Sequence, residues 1–222
     1  MSNSTGRTAA SGDALTTTRD TLHGLAEWLL AGPQYLRAGT IRLGVVNGGV
    51  ETRDGRVMLS ANGLVVRSTD ADTRHELRGT VQTLADALGI TPSIPAGVYS
   101  EHAPVTPKSA VTVDRPTAEA LFEWFTRGQT GLLEFAPDEE PVLWPEHFDL
   151  GISMAGVNYG VSPGDASHHQ PYAYVSPWIQ RAGNFWNAHF GAVRGAAELP
   201  APSAVAAFFS EGAGRAAQDP PN

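Results

Sequence analysis

Apolar side chains recur at three- and four-residue spacing over residues 22–29, with leucine at 22, 25 and 29. This spacing is typical of an amphipathic helix with one apolar face. The hydroxyls of Thr17 and Thr18 are suited to capping the free amides at its start. Gly32-Pro33 follows the apolar positions and predicts the end of this first helix.

Two parts of the chain alternate between apolar and polar residues, a pattern that predicts strands. In the first part, residues 41–66, three turn-forming pairs interrupt the alternation: Asn47-Gly48, Asp54-Gly55 and Asn62-Gly63. Three or four antiparallel strands fit this spacing. The second part predicts strands over residues 148–154, 157–161 and 172–175.

Helical spacing returns in three further segments. A helix over residues 77–88 is predicted to end at Gly89, and another over 116–127 is extended by a helical turn around 132–135. The last helix is predicted near 203–210. Because the strands cluster in two blocks joined by tight turns, the pattern favours an α+β fold, in which a mainly antiparallel sheet packs with about four helices.

A single compact domain is predicted over residues 14–210. The chain has 222 residues, of which 41% are hydrophobic, and this is enough to bury one sizeable core. Residues 1–13 are small and polar, and residues 211–222 are rich in glycine, alanine and proline. Both ends are therefore predicted to be disordered tails.

The charge and the residue usage exclude several classes of protein. A net charge of -8 argues against nucleic acid or an anionic membrane as the main partner. The absence of cysteine excludes disulfides, thiolate catalysis and cysteine-ligated metals. No apolar run approaches the roughly 18 residues of a membrane span, and residues 1–13 do not form a signal peptide. These features predict a cytoplasmic protein.

Candidate chemistry is concentrated in residues 142–190. This segment holds four of the seven histidines, three of the five tryptophans and three of the five tyrosines. Aromatic side chains at this density either pack in a core or line a small-molecule pocket. In a pocket, the polar end groups of these side chains orient the ligand. The residues predicted to bind such a ligand are Trp144, Asn158, Tyr172, Tyr174 and Trp178.

His147 and Asp149 are the predicted catalytic residues. Glu146-His147-Phe148-Asp149 opens the predicted strand at 148–154, so alternation places the side chains of His147 and Asp149 on one face. An imidazole and a carboxylate so placed can act as a base and its orienting group. They can also share a divalent metal ion, with His169 or His168 as the further ligand. A hydrogen-bonded pair with a structural role is the alternative. The sequence has no GxGxxG, GxxxxGK[ST], GxSxG or HExxH motif, so no nucleotide cofactor is predicted.

Two distinctive strings, WPEHFD within LWPEHFDLGI at 143–152 and NYGVSPGD at 158–165, resemble an uncharacterised family of actinobacterial proteins. The stretch at 22–43 resembles the amino-terminal region of the same family, so the resemblance covers roughly residues 17–211. It implies a cytosolic protein that folds as one unit. It implies no particular activity, cofactor or catalytic residue.

Two functions remain open from the sequence. The first is a small-molecule-binding protein with its site in residues 144–189. The most specific form of this hypothesis is a metal-assisted hydrolase or lyase, in which His147, Asp149 and His169 hold the metal. The second is a non-catalytic binding protein or a homo-oligomeric interaction protein, in which the aromatic and histidine segment is structural.

Overall fold

The computed structural model describes residues 5–99 and 102–222. Its α-helices and antiparallel strands confirm the predicted α+β class. The chain divides into two compact units, residues 1–123 with 144–148 and residues 124–143 with 149–222. The prediction of a single domain over 14–210 stays a prediction. No helix in the described part of the chain is long and apolar enough to cross a membrane.

The first unit begins with one long helical segment. Helix α1 spans Thr5–Leu25, a π-helical segment spans Ala26–Ala31 and helix α2 spans Gly32–Ala38. The N-terminal tail predicted over 1–13 is therefore helical from Thr5 onward, and residues 1–4 lie outside the described residues.

The predicted stop at Gly32-Pro33 is wrong, and the π-helical geometry explains why. In a π-helix each N–H bonds the carbonyl five residues earlier, as the N–H of Gly32 does with Glu27. Pro33 has no N–H for the carbonyl of Trp28, and the N–H of Ser93 donates to that carbonyl instead at 3.2 Å. The helix then ends at Gly39, whose φ of 67° is left-handed.

Five strands of the first unit form an antiparallel meander in chain order. Their bounds are β1 Leu43–Val46, β2 Gly49–Thr52, β3 Val57–Ser60, β4 Gly63–Val66 and β5 Thr73–His75. The first four confirm the strands predicted from the three turn pairs. The π-helical segment contacts β2 and β3, and the buried leucines at 22, 25 and 29 contribute to the core.

Helix α3 spans Val81–Leu88, and helix α4 spans Arg115–Phe135. The side chains of Thr80 and Thr83 form a capping box at the start of α3, so this helix begins four residues later than predicted. Its predicted end at Gly89 is confirmed by a left-handed φ of 65°. The turn predicted near 132–135 is the last part of α4.

The second unit contains four strands that pair in chain order. After the short strand β6 at Val142–Trp144, the strands are β7 Asp149–Met154, β8 Val157–Ser162, β9 Tyr172–Pro177 and β10 Ala192–Gly195. Neighbours from β7 to β10 are antiparallel. Strand β10 was not predicted. A 3₁₀ turn at Ala196–Glu198 follows it.

Helix α5 spans Pro202–Gln218 and covers one face of these strands. It extends eight residues beyond the predicted end at 210, because Gly212 and Ala216 are buried and continue its packing face. The part of the predicted tail from 211 to 218 is therefore helical. The absent side chain of Gly212 allows the helix to approach Val175 of β9 closely.

The two faces of β7–β9 differ in chemistry. The face toward α5 and the second half of α4 is apolar and includes the buried Leu150, Tyr159, Val161 and Val175. The opposite face, here called the polar face, follows from alternation along each strand. It carries Asp149, Gly151 and Ser153 of β7, Asn158, Gly160 and Ser162 of β8, and Tyr172, Tyr174 and Ser176 of β9.

Candidate functional site

Tyr174 occupies the middle of the polar face. It pairs with Gly160 in the β8–β9 register, and Gly160 pairs with Gly151 in the β7–β8 register. A Cβ at either glycine would crowd the Tyr174 hydroxyl. The phenol therefore lies across both glycines and donates a hydrogen bond to Oδ2 of Asp149. Burial raises the pKa of Tyr174, and the charge of Asp149 raises it further, so this hydroxyl stays a donor.

Tyr172 forms a second phenol–carboxylate pair on the same face. Its hydroxyl donates to Oδ2 of Asp165 at 2.5 Å. Oδ1 of Asp165 accepts the N–H groups of Ser167 at 2.6 Å and His168 at 2.7 Å. Burial alone would raise the pKa of Asp165, but these hydrogen bonds to its ionised form outweigh burial and lower it.

The turn before Asp165 explains its position. Gly164 has a φ of 98°, which favours glycine, and the N–H of Asp165 donates to the carbonyl of His168 at 2.8 Å. The loop is therefore closed by backbone and carboxylate hydrogen bonds together. The His168 ring lies 5.1 Å from the Tyr172 ring, centroid to centroid, and borders the pair.

An exposed indole lies at the other end of the polar face. Nε1 of Trp178 donates to Oδ1 of Asn158 at 3.1 Å, and Oγ of Ser153 donates to the same oxygen at 2.7 Å. The N–H of Trp178 also donates to the carbonyl of Gly156 at 2.9 Å. These bonds orient the indole, although 71% of the residue is exposed. An oriented and exposed aromatic ring is a surface on which a flat ligand can stack.

The backbone at Phe148 overturns the face argument for His147 and Asp149. Phe148 has a φ of 51°, in the left-handed region, so strict alternation does not extend back to His147. Strand β7 begins at Asp149, and His147 is an exposed residue of the preceding turn. Phe148 is buried, and its side chain stacks on the ring of His23 with centroids 5.5 Å apart.

The predicted metal ligands are not assembled. Among the described residues, no group of three or more His, Asp and Glu side chains is arranged to hold a metal ion. Asp149 bonds Tyr174, while His147 and His169 are both exposed. Trp144, predicted as a ligand contact, belongs to the first unit, where the guanidinium of Arg42 lies 5.5 Å from the centre of its ring.

The structure brings four predicted ligand contacts onto the polar face: Asn158, Tyr172, Tyr174 and Trp178, with Asp149 beside them. The glycines that make room for Tyr174 were not among the predicted site residues. The sequence does carry a pattern that could have identified them. Polar residues and glycine alternate with apolar residues in Asp-x-Gly-x-Ser at 149–153 and in Asn-x-Gly-x-Ser at 158–162. Such repetition on adjacent strands predicts a shared polar surface.

Chemically, the polar face offers phenol and amide donors, carboxylate acceptors and one aromatic stacking surface. This set suits a ligand with polar edges and an apolar face. Asp149 and Asp165 already accept phenol hydrogens, so their orientation is set before a ligand arrives. In comparisons with known proteins, no protein-family model, no curated protein and no solved structure matches this chain.

Proposed function

We propose that this chain binds a compact, partly polar small molecule on the polar face of β7–β9. The observation that carries the proposal is the exposed indole of Trp178, which Asn158 and Gly156 hold in a defined orientation. An exposed tryptophan without such bonds would lose side-chain entropy on stacking against a ligand. The bonds reduce that cost and leave the ring surface open.

The spacing of the polar groups sets the size of the ligand. Asn158 and Ser162 lie at the two ends of the same face of β8, four residues apart. At a rise of about 3.3 Å per residue, the distance along the strand is about 13 Å. Trp178 lies four residues after Tyr174, so a ligand stacked on its indole and bonded to the Tyr174–Asp149 pair spans up to about the same 13 Å, a length within the range of a small molecule.

An acid–base role for Asp149 extends this proposal. Its carboxylate can accept a proton from a ligand hydroxyl, while the protonated phenol of Tyr174 stabilises the ionised form through its hydrogen bond. His147, the other predicted catalytic residue, is exposed and outside strand β7. We therefore assign acid–base chemistry to Asp149 alone.

The location and partners follow the same proposal. A cytoplasmic location is part of this proposal, and the net charge of -8 supports a partner that is neither nucleic acid nor an anionic membrane. Membership of the actinobacterial family that carries WPEHFD and NYGVSPGD is proposed on those strings and on the stretch at 22–43.

The test is a thermal-shift screen of sugars, nucleosides, amino acids and small carboxylic acids, with hits confirmed by calorimetry. We expect hits whose affinity falls at least tenfold in Trp178→Ala and Asn158→Ala. Trp144→Ala is the matched control, because this indole is 36% exposed but does not belong to the polar face. Hits that bind both tryptophan variants equally would place the ligand elsewhere.

A homo-oligomeric interaction role is the second candidate, and one observation favours it. Trp178 and Ile179 are adjacent and are 71% and 63% exposed. Neighbouring exposed apolar side chains often mark a protein contact. Sedimentation velocity of the wild type and Ile179→Asp separates the two functions, because only an oligomer would lose mass in the variant.

A further inference from the structure

A fully buried glutamate lies in the first unit, apart from the residues of the polar face. Glu27 is the second residue of the π-helical segment Ala26–Ala31 and is 0% exposed. π-helical turns widen a helix locally and often occur at functional sites. Because burying a charged carboxylate costs several kcal/mol unless it is compensated, the surroundings of Glu27 need a physical account.

Within residues 5–99 and 102–222, a hydrogen-bond donor is found for one of the two carboxylate oxygens of Glu27 and not for the other. Oε2 accepts the N–H of Ala103 at 3.0 Å. Oε1 is buried and has no hydrogen-bond partner among the described residues. Two imidazole nitrogens lie beside it, Nε2 of His23 at 3.6 Å and Nδ1 of His102 at 3.7 Å. Both distances exceed those of an N–H···O hydrogen bond.

The N–H group of His23 that is nearest to Glu27 donates to a backbone carbonyl. Nε2 of His23 lies 2.7 Å from the carbonyl oxygen of Pro145. A carbonyl can only accept, so Nε2 carries the hydrogen and directs it to Pro145. The imidazole therefore does not satisfy Oε1 of Glu27, even though the two residues are four positions apart on one helical face.

A phenol without a partner lies in the same group of residues. Tyr99 is 8% exposed, and its buried hydroxyl has no hydrogen-bond partner in the described ranges. Burial raises the pKa of Tyr99, and the negative charges of Glu27 and Glu146 raise it further. The ring of His102 lies 5.4 Å from that of Tyr99, centroid to centroid. The hydroxyl oxygen is therefore one more buried polar atom that can accept a hydrogen.

We propose that Glu27, Tyr99 and His102 form a binding site for a small protonated amine. An ammonium group has three N–H donors, and these residues offer three acceptors: Oε1 of Glu27, the hydroxyl oxygen of Tyr99 and, in the neutral ring, Nδ1 of His102. Its positive charge compensates the buried carboxylate. The side chain of His102 is 47% exposed, so this residue borders both Glu27 and the solvent.

The donor set favours an ammonium group over a metal ion. Structural zinc sites use about four protein ligands and calcium sites use about six to eight oxygens. The described residues hold no group of three His, Asp or Glu side chains placed for a metal. A phenol hydroxyl that stays protonated is a weak metal ligand but a good partner for N–H donors. This site is independent of the polar face and does not rest on the proposed function.

The test is isothermal titration of the full chain with methylammonium chloride, in buffer of matched ionic strength. Tetramethylammonium chloride is the matched probe, because it has the same charge and no N–H donor. We expect saturable binding of about one methylammonium per chain, and at least tenfold weaker binding of tetramethylammonium. Equal binding of the two cations, or no saturable binding of methylammonium, would overturn the proposal.

Variants assign the binding to the named residues. Glu27→Gln keeps the acceptor for Ala103 but removes the charge, and we expect at least a tenfold loss of methylammonium affinity. Glu119→Gln is the control, because Glu119 is an exposed residue of the same unit. If Glu27→Gln does not fold, Tyr99→Phe decides: an unchanged affinity there overturns the site, and a several-fold loss supports it. Binding of Zn²⁺ or Mg²⁺ in place of methylammonium also overturns it.

Discussion

The phenol ring of Tyr174 lies over Gly160, its antiparallel partner on β8. A Cβ at residue 160 would collide with the hydroxyl and Cζ of Tyr174 and, at 2.5 Å, with the carbonyl oxygen of Leu150. Gly151 on β7 provides the next open position, and the phenol then reaches Asp149. The two glycines therefore allow a side chain from β9 to cross two strands.

Gly160→Ala is expected to destabilise the fold by about 1–3 kcal/mol, the usual range for overpacking. The added methyl group meets a backbone oxygen as well as the phenol, so a rotamer change of Tyr174 cannot relieve the whole clash. Urea unfolding followed by circular dichroism measures the change. Gly44→Ala is the control, because a Cβ at this strand position meets no atom within 4 Å. Equal stability of the two variants would contradict the packing of Tyr174.

Two glycines of α5 are expected to respond in opposite directions to substitution by alanine. A Cβ at Gly212 would lie 2.6 Å from Cγ2 and 3.1 Å from Cβ of Val175, whereas one at Gly214 meets nothing within 4 Å. Gly214→Ala should stabilise by up to about 1 kcal/mol through helix propensity. Gly212→Ala should destabilise by about 1–2 kcal/mol, because overpacking exceeds that gain. Thermal unfolding of both variants checks the difference in sign.

The turn between β7 and β8 contains a strained alanine. Ala155 has a φ of 52° and Gly156 a φ of 76°, so both central residues are left-handed, as in a type I′ hairpin turn. Ala155→Asn should stabilise the protein by about 0.5–1 kcal/mol, because asparagine tolerates this conformation better than alanine. The midpoint of urea unfolding measures the effect. A lower midpoint in the variant would mean that the turn has another conformation.

Four of the five tyrosines have raised pKa values, namely Tyr99, Tyr159, Tyr172 and Tyr174, and burial is the largest cause for each. A raised tyrosine pKa favours the neutral form in the folded state. Its contribution to stability is therefore complete below the unfolded pKa of about 10 and is lost as pH rises above it. Absorbance at 295 nm should show that these four ionise mainly upon unfolding.

The alkaline prediction has an internal control. Tyr174→Phe cannot ionise at that position and removes the donor to Asp149. Its free energy of unfolding should therefore fall less steeply between pH 10 and 12 than that of the wild type. The two slopes should differ by about the contribution of one titrating group. Denaturant unfolding across this range measures the slope. Identical slopes would show that Tyr174 ionises in the folded protein.

Local sequence alone determined much of the secondary structure. Strands β1–β4 follow from alternation and three turn pairs, and Gly89 ends α3 as predicted, because these signals act between neighbouring residues. The same alternation placed Tyr172 and Tyr174 on one face of β9. A local signal misleads where a distant partner replaces a missing local bond. The helix continues past Pro33 because the N–H of Ser93 donates to the carbonyl of Trp28.

Only the tertiary structure decided which side chains meet. The left-handed backbone conformation of Phe148 separates His147 from strand β7. No adjacent glycine or turn-forming pair in the sequence predicts this conformation. Tyr174 reaches Asp149 across two intervening glycines, and Glu27 meets His102 and Ala103 through chain folding. Contacts of this kind depend on strand register and helix placement, which many weak interactions set together. The residue types of a site can thus be predicted from the sequence, but the tertiary structure determines which side chains contact each other.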